Sequence, residues 1–131
     1  MFAVAVITIA AACGESPTSP SDLTGKMWRL VAIEPATGPS IAVADGLRYW
    51  IEFLTETRLS ARADCNTCSG SYTLSGATVT IGPLACTRAF CGEASLDTPF
   101  TQGLSEAREL TLDEQLLQIK SPTTTLKFRA Q

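Results

Sequence analysis

Residues 64–91 read DCNTCSGSYTLSGATVTIGPLACTRAFC and hold four of the five cysteines of a chain that has no histidine. Four thiols can form a zinc site, a CxxC redox centre or two disulfide bonds. The unequal spacings Cys65-x2-Cys68 and Cys86-x4-Cys91 are unusual for a structural zinc site. Residues 69–75 alternate like a strand, whereas a thioredoxin-like CxxC pair needs a following helix. Two disulfides are therefore expected if the chain is exported.

The N-terminal residues indicate export. Residues 2–12 are apolar apart from Thr8, too few for the roughly twenty residues that span a bilayer but suited to a signal peptide. Ala10, Ala11 and Ala12 lead into Cys13, a pattern that resembles a bacterial lipobox, whose cysteine is acylated. Ala10 stands where lipoboxes usually carry Leu, and no basic residue precedes the apolar run. The missing basic residues predict a true start upstream of Met1.

These features predict the organisation of the chain. We expect a lipoprotein-type signal peptide over 1–12, a Pro/Ser-rich tether over 13–22 and one domain over 23–131. The protein would then be exported and held on a membrane of the bacterial envelope, facing the periplasm or the cell surface, by lipid on Cys13. The alternative is a buried N-terminal strand in which Cys13 is incidental.

With Cys13 lipidated, four cysteines remain to pair with one another. They allow three pairings. Pairing Cys65 with Cys68 would close a very short loop and leave Cys86 and Cys91 as a second local clip. The nested pairing, Cys65–Cys91 outside Cys68–Cys86, is favoured over these clips, and its role would be stability in a domain with a small core.

Short segments with alternating apolar and polar residues recur along the chain, which predicts antiparallel strands with one buried face. The predicted inward sets are Trp28/Leu30/Ala32, Tyr49/Ile51/Phe53, Leu59/Ala61/Ala63, Tyr72/Leu74, Val79/Ile81, Leu117/Ile119 and Leu126/Phe128/Ala130. One helix is predicted from the spacing of Leu96, Phe100, Leu104 and Ala107, with Asp97 as its cap and Gly103 as a weak point. The expected fold is mainly β: a small antiparallel β-barrel or strongly curled sheet with one helix packed against it.

The chain also resembles the META domain, or HslJ-like, family of small bacterial envelope proteins over residues 23–131. The residues that carry the resemblance are Leu23-x-Gly25-x-x-Trp28-x-Leu30, Cys65-Asn66, Gly70-Ser-Tyr72, Gly82-Pro83-Leu84, Thr87-Arg88, Cys91 and the hairpin Leu117 to Phe128. The resemblance implies a small β-barrel with one helix and supports the Cys65–Cys91 pair. It also implies a link to stress response or motility, and it brings no catalytic residues.

Charge and composition narrow the function. A net charge of −3 with scattered Lys and Arg argues against nucleic-acid binding. No His-based acid–base pair can form without histidine, and Asp64, Glu93 and Glu106 are expected to be solvated. Asn66 and Thr87 are expected to bond the backbone in turns. No metal or cofactor is expected.

We therefore expect a non-enzymatic lipoprotein that acts as a binding or assembly module on an envelope protein. The alternative is a carrier of a small apolar ligand, with Ala61 and Ala63 leaving room for it inside the barrel. Less favoured is a thiol-redox or metal-binding protein. Trp50 is predicted on the outer face, where it could mark a contact surface.

Overall fold

A computed structural model describes residues 18–131, so the predicted signal peptide, Cys13 and the first part of the predicted tether lie outside the described residues. The described chain contains ten strands and two helices. The strands are β1 Met27–Pro35, β2 Ile41–Ala42, β3 Tyr49–Phe53, β4 Arg58–Ala63, β5 Asn66–Ser75, β6 Thr78–Ile81, β7 Ala85–Cys86, β8 Glu109–Asp113, β9 Leu116–Lys120 and β10 Thr124–Ala130. The helices are α1 Pro20–Leu23 and α2 Asp97–Ser105.

Eight of the strands form a closed antiparallel barrel. Their order is β10-β9-β8-β6-β5-β4-β3-β1, and β1 pairs with β10 to close the circle. The short strands β2 and β7 pair with β1 and β5 respectively. Closure leaves no long unpaired edge in the barrel wall. The predicted mainly β fold, with a barrel and a packed helix, is confirmed.

The inward faces of the strands meet in one core. β4 alternates as predicted, with Leu59, Ala61 and Ala63 fully buried. In β1 the alternation fails, because a β-bulge between Leu30 and Ala32 shifts the register. Ile33 is buried instead of Ala32, so the prediction for Ala32 was wrong. A bulge adds one residue to one strand, which period-two reasoning cannot detect.

Aromatic side chains fill the barrel. Phe100 of α2 packs against Tyr49 and Phe128, with ring centroids 5.8 and 6.1 Å apart. Phe53 and Tyr72 make a second edge-to-face pair at 4.9 Å. Truncating one such buried ring typically costs about 3–5 kcal/mol. The interior between β4 and β10 is thus occupied by side chains of the protein itself.

Helix α2 lies where β3 and β5 begin, and its details differ from the prediction. Its N-cap is Leu96, not Asp97, and Asp97 is the first helical residue, accepting a bond from the Thr98 N–H at 2.8 Å. Gly103, predicted as a weak point of the helix, is a point of close approach to the sheet. A Cβ there would lie 3.0 Å from Leu126 of β10, so glycine allows the helix to reach the sheet.

Helix α1 lies against the opposite end of β3. Its first three residues, 20–22, belong to the segment predicted as tether, and its last residue, Leu23, is fully buried. The Leu23 carbonyl accepts a hydrogen bond from Trp28 Nε1 at 3.0 Å. The backbone of Thr24, next along the chain, forms an isolated parallel β-bridge with Phe53. The barrel is therefore covered at one end by α1 and at the other by α2. Within residues 18–131, neither helix has the length and apolar character needed to cross a membrane.

Candidate functional site

Two disulfide bonds fix the connection between β7 and α2. Cys68 of β5 is bonded to Cys86 of β7, and Cys65 in the β4–β5 turn is bonded to Cys91. This is the nested arrangement. The Cys65–Cys91 bond holds the segment 87–96, which has no strand or helix of its own, against the end of the barrel.

Asn66 organises this segment from below. Its side chain is buried, and its Oδ1 accepts bonds from the Ala89 N–H at 2.8 Å and from Thr87 Oγ1 at 3.0 Å. Its Nδ2 donates to the Ala89 carbonyl at 3.0 Å and to Asp97 Oδ2 at 3.4 Å. Thr87 Oγ1 also accepts a bond from the Thr67 N–H at 3.0 Å. The prediction that Asn66 and Thr87 bond the backbone is confirmed. Their side chains make the hydrogen bonds that hold this segment against β5, since the segment itself forms no strand.

An open cleft of about 500 Å³ lies between this segment and α2, and we call it the Asn66 cleft. The polar side chains on the floor of the cleft are hydrogen-bonded, whereas other lining side chains are exposed to solvent. Lining residues include Asn66, Thr87, Arg88, Phe90, Asp97 and Thr101. Phe90 is 83% exposed, the most exposed of the large apolar side chains in residues 18–131. Within the same residues, no carboxylate lies within 4 Å of the Arg88 guanidinium.

A buried carboxylate lies on the other side of the Cys65–Cys91 bond. Asp64 is 4% exposed and forms an ion pair with Arg48, so the prediction that it is solvated was wrong. Tyr49 Oη donates to Asp64 Oδ2 at 3.2 Å and accepts from the Leu96 N–H at 2.8 Å. Hydrogen bonding from Ser95 and the charge and hydrogen bonds of Arg48 hold the pKa of Asp64 below its usual range, despite its burial. Asp64 therefore ties segment 87–96 to the barrel from its second side.

Asp64 also turns the chain. Its φ of 59° lies in the left-handed region, which Asp tolerates better than most residues, in the two-residue turn between Ala63 and Asn66. The other two carboxylates that were predicted to be solvated, Glu93 and Glu106, are exposed as expected.

Three further residues that carry the family resemblance support the fold. Trp28 is fully buried in the barrel. Gly70 lets segment 82–84 pass closely, because a Cβ there would lie 2.9 Å from Leu84 Cδ2. Tyr72 Oη donates to the Thr55 carbonyl at 2.7 Å, and burial, with Glu56 nearby, raises the pKa of this phenol. Of the family-pattern residues, Asn66, Thr87 and Arg88 meet at the cleft, whereas these three do not.

The polar groups on the floor of the cleft are engaged with one another. Thr101 Oγ1 donates to the Asp97 carbonyl at 2.8 Å and Asp97 receives Asn66, so the polar groups of the floor bond one another. Within residues 18–131, no cluster of three or more His, Cys, Asp or Glu side chains could hold a metal ion. Sequence reasoning missed Phe90 and Asp97 as site residues. The sequence did contain a signal for Phe90: it is an aromatic residue close to Arg88 in a stretch that lacks strand-like alternation and ends at Cys91.

Comparison with solved structures shows that other proteins share this fold. The chain is similar in fold to an NMR structure of a protein from Burkholderia xenovorans, with TM-score 0.68, 21% identity and coverage of 98% of this chain and 99% of that one. A second NMR structure matches with TM-score 0.64, 25% identity and coverage of 86% and 94%. The crystal structure of a DUF4847 family protein from Bacteroides vulgatus ATCC 8482 matches with TM-score 0.60, 14% identity and coverage of 83% and 94%.

Sequence comparison gives the family directly. No curated protein matches the chain. The META domain model matches residues 21–131, two residues earlier than the predicted start at Leu23 and including most of α1. The match covers the whole barrel, both disulfides and the Asn66 cleft. The chain therefore belongs to the META domain family.

Proposed function

We propose that this protein is a bacterial envelope lipoprotein that acts without catalysis, as a binding or assembly module. The observation that carries the proposal is the Asn66 cleft. A disulfide, a buried amide and a buried carboxylate together hold one loop, and that loop presents Arg88 and Phe90 to solvent. The partner we propose is a segment of an envelope protein with an apolar residue for Phe90 and a carboxylate for Arg88.

Energetics support this use of the loop. Phenylalanine and arginine are both enriched at protein–protein interfaces, and arginine is enriched among binding hot spots. Binding usually costs conformational entropy, and part of that cost disappears when the loop is already fixed. The Cys65–Cys91 bond and the Asn66 bonds to Ala89 supply this preorganisation.

A binding role without catalysis is supported by the state of the polar groups. The chain has no histidine to act as a general base. The hydroxyls of Thr87 and Thr101 are engaged with Asn66 and with the Asp97 carbonyl. The Cys65 and Cys68 sulfurs are in disulfides with Cys91 and Cys86, which speaks against a free CxxC dithiol or a zinc site.

The carrier alternative has less support. Ala61 and Ala63 face inward, but the space beside β4 is used by α2, whose Phe100 is fully buried with Phe128. A ligand inside the barrel would have to displace these rings. An open cleft against the barrel end fits a surface-acting module better.

Membrane anchoring through lipid on Cys13, a periplasmic or surface location and a stress-related role belong to the same proposal. They rest on the apolar residues 2–12, the small residues before Cys13 and the family. The short polar segment that follows would keep the cleft within reach of other envelope proteins.

Site-specific photo-crosslinking in living cells tests the proposal. A photoreactive phenylalanine analogue is placed at position 90 and, as a matched control, at position 54, where Leu54 is 54% exposed on the β3–β4 turn. We expect a discrete cross-linked protein from position 90 that is lost on Arg88→Ala and absent from position 54. The same products from both positions, or none from position 90, would contradict the proposal.

A further inference from the structure

Three arginines and a tryptophan form one row across the outside of the barrel. Strand pairing places Arg129 of β10 opposite Arg29 of β1, Arg29 opposite Trp50 of β3, and Trp50 opposite Arg62 of β4. All four side chains point outward, because their strand neighbours face the core; these neighbours are buried except Ala130, which is half-buried. With adjacent strands about 4.8 Å apart, the row extends about 14 Å. We call these four residues the Arg–Trp row.

The fold does not need this arrangement of charge. Like charges directly opposite one another on neighbouring strands are destabilising, as for Arg29 and Arg129. Within residues 18–131, no carboxylate lies within 4 Å of the three guanidinium groups. Arg62 Nε donates to the Asp64 backbone carbonyl at 2.9 Å, which leaves its charge unneutralised. The protein as a whole carries a net charge of −3, so the row is a local reversal of sign.

Shape and composition select the partner. The outside of a closed barrel is convex, so the row is a ridge and not a groove that could hold a polymer chain. Trp50 is half-buried, with part of its indole open to solvent between Arg29 and Arg62. Tryptophan prefers the water–lipid interface, and arginines are attracted to anionic headgroups. The geometry points to a site for the phosphate headgroups of an anionic lipid membrane.

The position of the row along the chain agrees with this partner. Arg29 lies two residues after the start of β1, and only α1 and a short turn separate β1 from the beginning of the described chain. An N-terminal anchor would therefore hold the row close to the membrane. The inference does not depend on that anchor, because the row itself supplies the attraction.

Vesicle binding by the full chain carrying Cys13→Ala tests the inference, since no acyl chain then contributes. The probes are vesicles of phosphatidylcholine alone and vesicles with equal parts of phosphatidylglycerol. Residues 2–12 contribute to both, so the difference between vesicles isolates the charge effect. Trp50 is a built-in reporter: the other tryptophan, Trp28, is fully buried, so a blue shift of emission on binding reports Trp50.

The test variant is Arg29→Gln with Arg129→Gln, which spares Arg62 and its bond to Asp64. The matched control is Arg108→Gln with Lys120→Gln, which removes the same charge where β8 starts and β9 ends. Each basic residue near an anionic surface contributes about fivefold in affinity, so we expect the test variant to bind about 25-fold more weakly. The control should stay within about twofold.

Three results of the vesicle assay would overturn the inference. They are equal binding to both vesicles, equal weakening in the two variants, or an unchanged Trp50 emission on saturation with anionic vesicles. Tighter binding to dextran sulfate than to vesicles of equal charge would assign the row to an anionic polymer instead. None of these outcomes bears on the cleft, whose partner is tested separately by crosslinking at position 90.

Discussion

Removing the Cys65–Cys91 bond should lower stability and free segment 87–96, while leaving the barrel folded. In the chain-entropy model the bond alone contributes about 3.5 kcal/mol for its separation of 26 residues. With Cys68–Cys86 intact, the ring that it closes shrinks to about nine residues, and its contribution falls to about 2.6 kcal/mol. For a domain of this size that corresponds to a melting temperature lower by about 10 °C.

The double variant Cys65→Ala, Cys91→Ala tests this figure by thermal and urea unfolding without reductant. The matched variant Cys68→Ala, Cys86→Ala should lose about 2.3 kcal/mol with the outer bond intact, a similar cost. Amide hydrogen exchange separates the two. Only loss of Cys65–Cys91 should speed exchange in residues 88–95, because that bond and Asn66 hold the loop.

A drop below about 3 °C in the first variant would refute the estimate, since it would correspond to less than about 1 kcal/mol. Unchanged exchange in residues 88–95 would refute the idea that the bond holds the loop. Reduction of the unmodified protein should lower the melting temperature without releasing zinc, and a bound zinc ion per reduced chain would contradict the structural role of the four thiols.

Three further predictions follow from single residues. Asp64→Asn should cost about 1–2 kcal/mol at pH 7. Because the pKa of Asp64 is lowered in the folded protein, its contribution to the free energy of unfolding is complete above about pH 4 and is lost as the pH falls through the folded-state pKa. Urea unfolding at a series of pH values should therefore show the difference in stability between the two proteins closing in acid. A difference that stays constant with pH would contradict this. Gly103→Ala should lower the free energy of unfolding by about 1 kcal/mol net, because crowding of Leu126 exceeds the gain in helix propensity. The control Gln102→Ala should change it by less than about 0.5 kcal/mol. A Gly103→Ala protein more stable than the unmodified one would contradict the prediction. Cys13→Ala should reduce the membrane-bound fraction, and mass spectrometry of the native protein should find an acylated N-terminal cysteine; a variant still fully retained with residues 1–12 uncleaved would contradict lipidation.

The sequence predicted the fold well because the strands are amphipathic. Period-two alternation in β3 and β4 matches the buried faces residue by residue. Where the local geometry departs from the regular strand, the prediction failed, as at Ala32 beside the bulge. The close approach at Gly103 was missed for a related reason: its neighbour Leu126 is distant in sequence.

The site was predictable only in part. Asn66, Thr87 and the cysteines stood out by type and pattern, and their bonding to the backbone followed from turn chemistry. Asp64 was assigned to solvent because nothing local shows that Arg48 and Tyr49 converge on it. Phe90 gave a weak signal, because an exposed aromatic residue cannot be told from a buried one in a segment without periodicity.

We propose that a partner binds at the cleft held by Cys65–Cys91, and crosslinking from position 90 measures this binding in cells. The yield of cross-linked product from position 90 is compared in cells between the otherwise unmodified protein and the Cys65→Ala, Cys91→Ala variant at matched protein levels. We predict that the product is abundant in the first and reduced severalfold in the second, because the loop no longer presents Arg88 beside position 90. An equal yield from both proteins would contradict the claim.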